Sequence, residues 1–343
     1  MMPTVWFILL SLMMTVYAVL DGFDFGVGAL IPFLCKSEEE REQARFSIGP
    51  VWNGNEVWLL AGGGAMFVAF PRLYAASFSG FYLALMLVLW LFMLRGIGYE
   101  FRHVVKNPMW TGIWDTAFAL SSGLLALLFG VAVGNVLRGV PLNAAGEFQG
   151  SFALMLNPSA VVAGLLSVAV LLTHGCAWLV LKTEGDLRDR ARKCGIGTSI
   201  ASAVLAVAFA AGSNLVRPGF YANYMQAPIL LVVPMIAIAA LVATPLLLRL
   251  TSTGARFDGR PFISTTLTII GLLGSAAAGL FPRMLPALGN NPSLDLTSLN
   301  TSASTHGLEV ALAANLIGMP IVIVYMVIIY RTWRGKVSAA AHH

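Results

Sequence analysis

Two pairs of polar residues lie inside otherwise apolar segments of this chain, and their spacing suggests proton chemistry. Asp21 and Asp24 are three residues apart in the segment VLDGFDFGVG, which places both carboxylates on one face of a helix. Asn53 and Glu56 have the same spacing in the segment VWNGNEVWLL. In a lipid-embedded helix a carboxylate costs about 2.5 to 3.5 kcal/mol, so it needs a polar cavity, a cation or a bound proton. We therefore interpret these four positions as a candidate proton pathway.

Each pair also has a structural interpretation. The two aspartates could satisfy backbone groups that are freed at a helix bend near Gly22. Glu56 could instead anchor its helix at headgroup depth between Trp52 and Trp58, because aromatic belts are common there. A further group of charged residues near the ends of two other apolar segments is interpreted as structural ion pairs. This group consists of Arg95, Glu100, Arg102 and Asp115.

Histidine and cysteine are too few and too scattered to predict a metal or haem centre. His174 is the only histidine inside an apolar segment, so two facing haem ligands cannot come from this chain alone. A lone histidine on an apolar helix is usually a packing residue, which makes haem ligation by His174 the weaker interpretation. The three cysteines show no C-x-x-C spacing. We predict no metal site, and we interpret His342 and His343, which follow an alanine run, as the remnant of a tag.

The elements that must position these residues are transmembrane helices. Of the 343 residues, 58% are hydrophobic and only 11% are charged. A hydrocarbon core of about 30 Å is crossed by about 20 apolar residues in a helix, because lipid cannot satisfy bare backbone groups. The sequence therefore predicts an all-α, polytopic membrane protein with about nine spans. The predicted spans are 3–34, 50–70, 75–94, 114–137, 159–181, 197–215, 228–248, 262–281 and 308–330.

The order of the spans suggests how the domain is organised. We expect a single membrane domain over residues 1–343, made of two similar four-helix units and one further helix. The units would be 3–137 and 159–281, because each begins with a helix that runs in the same direction and continues into a charged loop. The ninth helix is predicted at 308–330.

The basic residues predict the orientation of these spans. Short loops that are rich in Lys and Arg stay on the cytoplasmic side of a membrane. With an outside N-terminus, the inner segments hold 17 of the 21 basic residues and the outer segments hold four. The C-terminus is then predicted to be cytoplasmic. The net charge of +5 is explained by topology and by contact with anionic lipid, so we predict no nucleic-acid partner.

Three segments closely resemble subunit II of cytochrome bd-type quinol oxidases. They are DGFDFGVG at 21–28, GPVWNGNEVWLLAGGGAMFVAFPRLYAASFSGFYLAL at 49–85 and RGIGYEFR at 95–102, and the resemblance continues along the whole chain. It implies a haem-free subunit in a bacterial cytoplasmic (inner) membrane. The expected partner is a larger subunit I that holds haems b and d and the quinol site and reduces O2 to water. Small single-helix subunits, membrane lipid and a structural quinone are further partners that the resemblance implies for some members.

The resemblance also implies a role for the polar residues described first. It implies a proton path from the cytoplasm that is lined at the positions of Asp21, Asp24, Asn53 and Glu56. Relatives often carry Asp where this chain has Asn53, and an amide cannot relay a proton by ionising, so Glu56 is the natural substitute. We therefore predict that this chain supports assembly and guides protons to the haem-bearing subunit. Two other functions stay open, namely a secondary transporter that uses the same acids and a purely structural scaffold.

Overall fold

The structure, a computed structural model, describes residues 1–289 and 291–337, so His342 and His343 lie outside the described residues. Within these ranges the chain forms thirteen α-helices and one small antiparallel sheet, in which β1 (Arg283–Leu285) pairs with β2 (Leu296–Thr297). The helices are α1 (Met2–Leu34), α2 (Glu38–Ile48), α3 (Trp52–Ala69), α4 (Pro71–Gly80), α5 (Tyr82–Glu100), α6 (Pro108–Arg138), α7 (Phe152–Met155), α8 (Pro158–Lys182), α9 (Gly185–Val216), α10 (Ala222–Gln226), α11 (Val232–Leu250), α12 (Gly259–Leu280) and α13 (Thr305–Thr332).

Most of these helices are built to cross a membrane. Among the described residues, eight are long and apolar enough to do so by length and composition, namely α1, α5, α6, α8, α9, α11, α12 and α13. The 18-residue helix α3 packs against α1 and α13, and its polar first turns lower its average hydropathy. With α3 included, the predicted all-α membrane protein of about nine spans is confirmed.

Most helices begin or end a few residues from the predicted bounds, and two spans differ more clearly from the prediction. Helix α9 starts at Gly185, well before the predicted residue 197, and the positive φ of +64° at Gly185 makes the tight turn that follows α8. Basic residues that were expected in a loop therefore lie on the first turns of a helix. The span predicted at 75–94 is divided at Phe81, whose dihedral angles (φ −93°, ψ 17°) separate α4 from α5.

The ends of α1, α5, α8, α11 and α13 lie on one side of the bundle, at Leu34, Glu100, Lys182, Leu250 and Thr332, and we call this side the basic end. Helix α2 also lies there. It begins after Ser37, whose hydroxyl accepts a hydrogen bond from the backbone N–H of Glu40 (3.3 Å). The Glu40 carboxylate accepts one from the backbone N–H of Lys36 (2.7 Å). This pattern is close to a capping box, which explains why so polar a segment forms a helix.

The centre of the bundle is the crossing of α1 and α8. A Cβ atom at Gly26 would lie 2.0 Å from the carbonyl oxygen of Leu171, and one at Gly175 would lie 2.4 Å from the backbone of Gly26. Only glycine allows the two backbones to approach this closely. Helix α6 also packs along α8, so the predicted units 3–137 and 159–281 meet along a continuous interface. Their treatment as two repeats stays a prediction.

Candidate functional site

Asp21 and Asp24 lie in the middle of the bundle, and both side chains are fully buried. Asp24 precedes the last residue of α1 by ten positions, which corresponds to roughly 15 Å from the basic end at 1.5 Å per residue. Helix α1 is surrounded by α3, α6, α8 and α12, so neither carboxylate can reach solvent by itself. Their charges must be balanced from within the bundle.

Arg95 supplies a positive charge to this position. One terminal nitrogen of its guanidinium donates to Asp21 Oδ1 (3.2 Å) and the other to Glu56 Oε1 (2.6 Å). The guanidinium also lies over the ring of Phe25, 4.7 Å from the ring centroid. The Arg95 side chain is only 1% exposed. Arg95 therefore joins α5 to α1 and α3 through a buried ion pair and not through an interfacial one.

Glu56 is the member of this cluster that approaches the surface. Its side chain is 28% exposed, whereas Asp21 is 0% exposed. Glu56 follows the first residue of α3 by four positions, or roughly 6 Å along the axis from the basic end. The Glu56 carboxylate is thus partly exposed near the basic end and also contacts the buried guanidinium of Arg95.

Asp24 has neutral partners instead. The side-chain amide of Asn55 donates to Asp24 Oδ2 (2.7 Å) and to the carbonyl oxygen of Leu20 (3.0 Å). The hydroxyl of Tyr330, on the last turns of α13, donates to Asn55 Oδ1 (2.9 Å). Asp24 is therefore connected through Asn55 to a helix at the far end of the sequence.

Acidic groups outnumber basic ones in this cluster. Asp21, Asp24 and Glu56 face the single cation Arg95, among the residues that the structure describes. The second oxygens of the two aspartates, Asp21 Oδ2 and Asp24 Oδ1, are buried and have no hydrogen-bond partner of normal geometry within the described residues. A buried carboxylate with a free oxygen is a suitable acceptor for a proton.

Asn53 lies apart from this cluster. Its side chain is exposed and makes no hydrogen bond within the described ranges, because it points to the other side of α3 from Asn55. The buried side of α3 repeats at helical spacing through Asn55, Trp58, Gly62, Ala65 and Ala69. The residue that contacts Asp24 is thus Asn55, and the predicted role of Asn53 has no contact in this chain to support it.

The residues predicted to form structural ion pairs belong to two different groups. Arg102 and Asp115 meet at the basic end, where Asp115 Oδ1 accepts from Arg102 Nε (2.7 Å) and from Arg45 (2.6 Å). Arg41 reaches the other oxygen of Asp115 (3.2 Å). Arg102 also pairs with two acids of α2, Glu38 and Glu42.

Glu100 does not join either group. It is exposed at the last residue of α5 and forms no ion pair with any described residue, since Arg95 pairs with acids of α1 and α3. The predicted place of Glu100 among the structural ion pairs therefore has no contact in the described residues to support it.

Two groups of the α2 segment have shifted pKa values. Burial lowers the pKa of Arg45 from its ordinary value, although Asp115 opposes this shift. Partial burial would raise the pKa of Glu40, but the Lys36 backbone N–H and the Arg190 guanidinium outweigh it, so the pKa is lowered. Glu40 and Arg190 thus form a charged contact between α2 and α9 at neutral pH.

His174 does not have the surroundings of a haem ligand. Its Nε2 donates to the carbonyl oxygen of Val19 (3.0 Å), and Nδ1 lies 2.7 Å from the hydroxyl of Thr265. The ring also stacks on Phe262 with 4.7 Å between the centroids. Both nitrogens are thus engaged, so the residue does not fit axial ligation. No group of three or more His, Cys, Asp or Glu side chains in the described ranges is arranged to hold a metal ion.

The comparisons with known proteins agree with these features. Residues 2–333 match the family model described as cytochrome bd terminal oxidase subunit II. The chain is 35% identical to a probable cytochrome oxidase subunit 2 of Haemophilus influenzae, over 98% of this chain and 95% of that protein. It is 32% identical to the cytochrome bd-I ubiquinol oxidase subunit 2 of Escherichia coli K12, over 97% and 94%.

A solved structure has the same fold. A chain of the bd oxidase from Geobacillus thermodenitrificans superposes with a TM-score of 0.79, covering 97% of this chain and 98% of that chain at 18% identity. The family match along nearly the whole length and the two relatives above 30% identity agree with each other. The chain therefore belongs to the cytochrome bd terminal oxidase subunit II family.

Proposed function

We propose that this chain is the haem-free second subunit of a quinol oxidase, and that it guides protons from the cytoplasm toward the haem-bearing subunit. The relatives in Escherichia coli and Bacillus subtilis are named as second subunits of cytochrome bd ubiquinol oxidases. The observation that carries the proposal is the cluster of two buried aspartates that Arg95 connects to the partly exposed Glu56.

The geometry suggests how a proton would move. Glu56 takes up a proton from water at the basic end. The ion pair between Glu56 and Arg95 weakens because the protonated Glu56 is neutral. Arg95 then pairs more fully with Asp21. The free oxygen of Asp24 lies further inside, and it can accept the proton because no described cation donates a hydrogen bond to Asp24. Arg95 itself stays charged throughout, because a guanidinium does not deprotonate in proteins.

The proposal includes a partner subunit. Subunit I is expected to hold the quinol site and haems b and d. The haems would supply the oxygen chemistry. A surface for such a partner or for lipid is available, because Leu308 and Met326 are the only buried residues of α13 among those that the structure describes. Small single-helix subunits and a structural quinone stay expectations from the family resemblance.

The second candidate function is a structural scaffold, and the Arg95 contacts favour it specifically. A buried arginine that holds acids on two other helices would fix the bundle even if no proton passed. The excess of carboxylates over cations is the reason to prefer proton transfer. We do not favour a secondary transporter, because relatives of similar length are named as oxidase subunits.

Replacement of Glu56 by Gln is expected to slow oxygen consumption by the assembled complex by about 10²-fold, the lower range for a positioned acid or base. Glutamine keeps the size and a hydrogen bond to Arg95 but cannot bind a proton. The measurement is quinol-driven oxygen uptake by purified complex, normalised to its haem content.

Glu184→Gln is the matched control, since Glu184 is exposed at the basic end and forms no ion pair with the described residues. Turnover at the wild-type rate in Glu56→Gln would exclude Glu56 as the uptake group. Normal turnover with reduced assembly would favour the scaffold.

We further propose that the basic end faces the cytoplasm of a bacterial cell and that the N-terminus lies outside. The distribution of Lys and Arg supports this orientation. A cysteine introduced at the exposed Leu299 should react with a membrane-impermeant maleimide in intact cells. A cysteine at Arg334 should react only after permeabilisation. The unmodified chain measures the background from its own cysteines, and the opposite pattern would reverse the orientation.

A further inference from the structure

The two aspartates of α1 have different electrical surroundings although they are three residues apart. Asp21 contacts the guanidinium of Arg95. Asp24 contacts the uncharged amide of Asn55, and no described cation donates a hydrogen bond to it. The charged and titratable groups that influence Asp24 are Asp21 on its own helix, and Arg95, Tyr99, Glu56 and Tyr330 on neighbouring helices. Arg95 is the single cation of this set and is already shared by two acids.

This difference assigns a protonation state to each aspartate. A buried carboxylate is tolerated when a cation pairs with it, and otherwise it becomes neutral by binding a proton. Arg95 balances Asp21. We propose that Asp24 is the carboxyl that carries the proton, and that Asn55 and Tyr330 are positioning residues that hold it in place.

The hydrogen bonds also identify the atom that holds the proton. Asn55 Nδ2 donates to Asp24 Oδ2 and to the Leu20 carbonyl oxygen, while Asn55 Oδ1 accepts from Tyr330. This set of partners fixes which side of the amide is oxygen and which is nitrogen. Asp24 Oδ2 is therefore an acceptor, and the proton resides on Oδ1, the buried oxygen without a partner in the described residues.

Tyr330 contributes to the orientation of Asn55 by donating a hydrogen bond to its amide oxygen. Its ring is partly buried and lies near Trp178, with 6.3 Å between the centroids, and its hydroxyl contacts Asn55. Without that hydroxyl the Asn55 carbonyl oxygen loses its donor, and the Leu20 carbonyl oxygen alone keeps the amide nitrogen in place. Helix α13 is thereby linked to the protonated carboxyl of α1. Use of this proton in turnover rests on the function proposed above, but the protonation itself does not.

The test is infrared spectroscopy of the purified complex with ¹³C-labelled aspartate. A protonated carboxyl gives a C=O band that shifts with the label, and this band should disappear in Asp24→Asn. Asn55→Leu, which removes the donor to Oδ2 at similar volume, should move the band to higher frequency. In Tyr330→Phe the band should also shift or broaden, but by less than in Asn55→Leu.

Tyr224→Phe is the control for loss of a tyrosine hydrogen bond, because the Tyr224 hydroxyl donates to Ser275 in another part of the bundle (2.6 Å). The band should be unchanged in that variant. Persistence of the band in Asp24→Asn, or an unshifted band in both Asn55→Leu and Tyr330→Phe, would overturn the proposal. If Asn55→Leu does not assemble, Tyr330→Phe alone decides the positioning role.

Failure of this proposal and failure of proton delivery can be distinguished. The assignment of Asp24 would be supported if the band disappears in Asp24→Asn and shifts in Asn55→Leu. Normal turnover in Glu56→Gln would, in the same set of experiments, reject proton delivery through Glu56. Slow turnover in Glu56→Gln together with a band that survives in Asp24→Asn would do the reverse.

Discussion

Replacement of Arg95 by Met is expected to leave little assembled complex in the membrane. The change leaves Asp21 fully buried and without its cation, and breaking one side of a buried ion pair typically costs about 3 to 5 kcal/mol. The contact of the guanidinium with the Phe25 ring is lost as well. The amount of complex can be measured by immunoblotting of solubilised membranes, and its stability by the temperature at which it unfolds.

A double variant separates the charge effect from the loss of packing. Asp21→Asn combined with Arg95→Met removes both buried charges, so much of the lost stability should return. Glu56 then keeps its access to solvent and does not need Arg95 for stability. Equal stability of the single and double variants would contradict the ion-pair account and would indicate that Arg95 acts through its volume alone.

The second large effect is expected at Asp115. Three arginines converge on this carboxylate, and the side chains of Arg45 and Arg102 are only 2% and 1% exposed. Asp115→Asn should loosen the contact between α2 and α6, because Arg45 forms no other ion pair with a described residue. We again expect a cost of about 3 to 5 kcal/mol, reduced to the extent that Arg102 keeps its acids on α2.

Hydrogen exchange measured by mass spectrometry reports this loosening directly. Amides of α2 should exchange faster in Asp115→Asn, while those of α12 should not change. Asp189→Asn is the matched control, because Asp189 is 54% exposed and pairs with Arg188 and Arg192 near the surface. Exposed pairs contribute about 0 to 1 kcal/mol. Equal effects of the two substitutions would show that Asp115 does not hold the three arginines.

The helices of this protein could largely be predicted from the sequence, because lipid forces apolar segments to satisfy their own backbone groups. The bounds of the helices were less predictable where a helix contains many polar residues. Helix α9 extends outward from the membrane through Arg188 and Arg192, and a hydropathy argument places such residues in a loop. For the polar helix α2, the signal in the sequence is the N-terminal cap formed by Ser37 and Glu40.

The site was predicted in part. The spacing of Asp21, Asp24 and Glu56 indicated where acids lie, but the partner Arg95 is 74 residues from Asp21 and no local pattern connects them. A single sequence contains no direct record of such long-range contacts.

The choice between Asn53 and Asn55 could have been made from the sequence. The small and apolar residues Gly62, Ala65 and Ala69 recur at helical spacing from Asn55, and that recurrence identifies the buried side of α3. The partner Tyr330 could not be predicted in this way, because it lies 275 residues from Asn55.

The most direct test of the central claim is proton uptake by the fully reduced complex after mixing with oxygen, followed with a pH-sensitive dye. In Glu56→Gln we predict that proton uptake is slowed by the same factor as turnover, while the assembled complex keeps its visible spectrum. Proton uptake as fast as in the unmodified complex would contradict the claim that protons pass through the carboxylates of this chain.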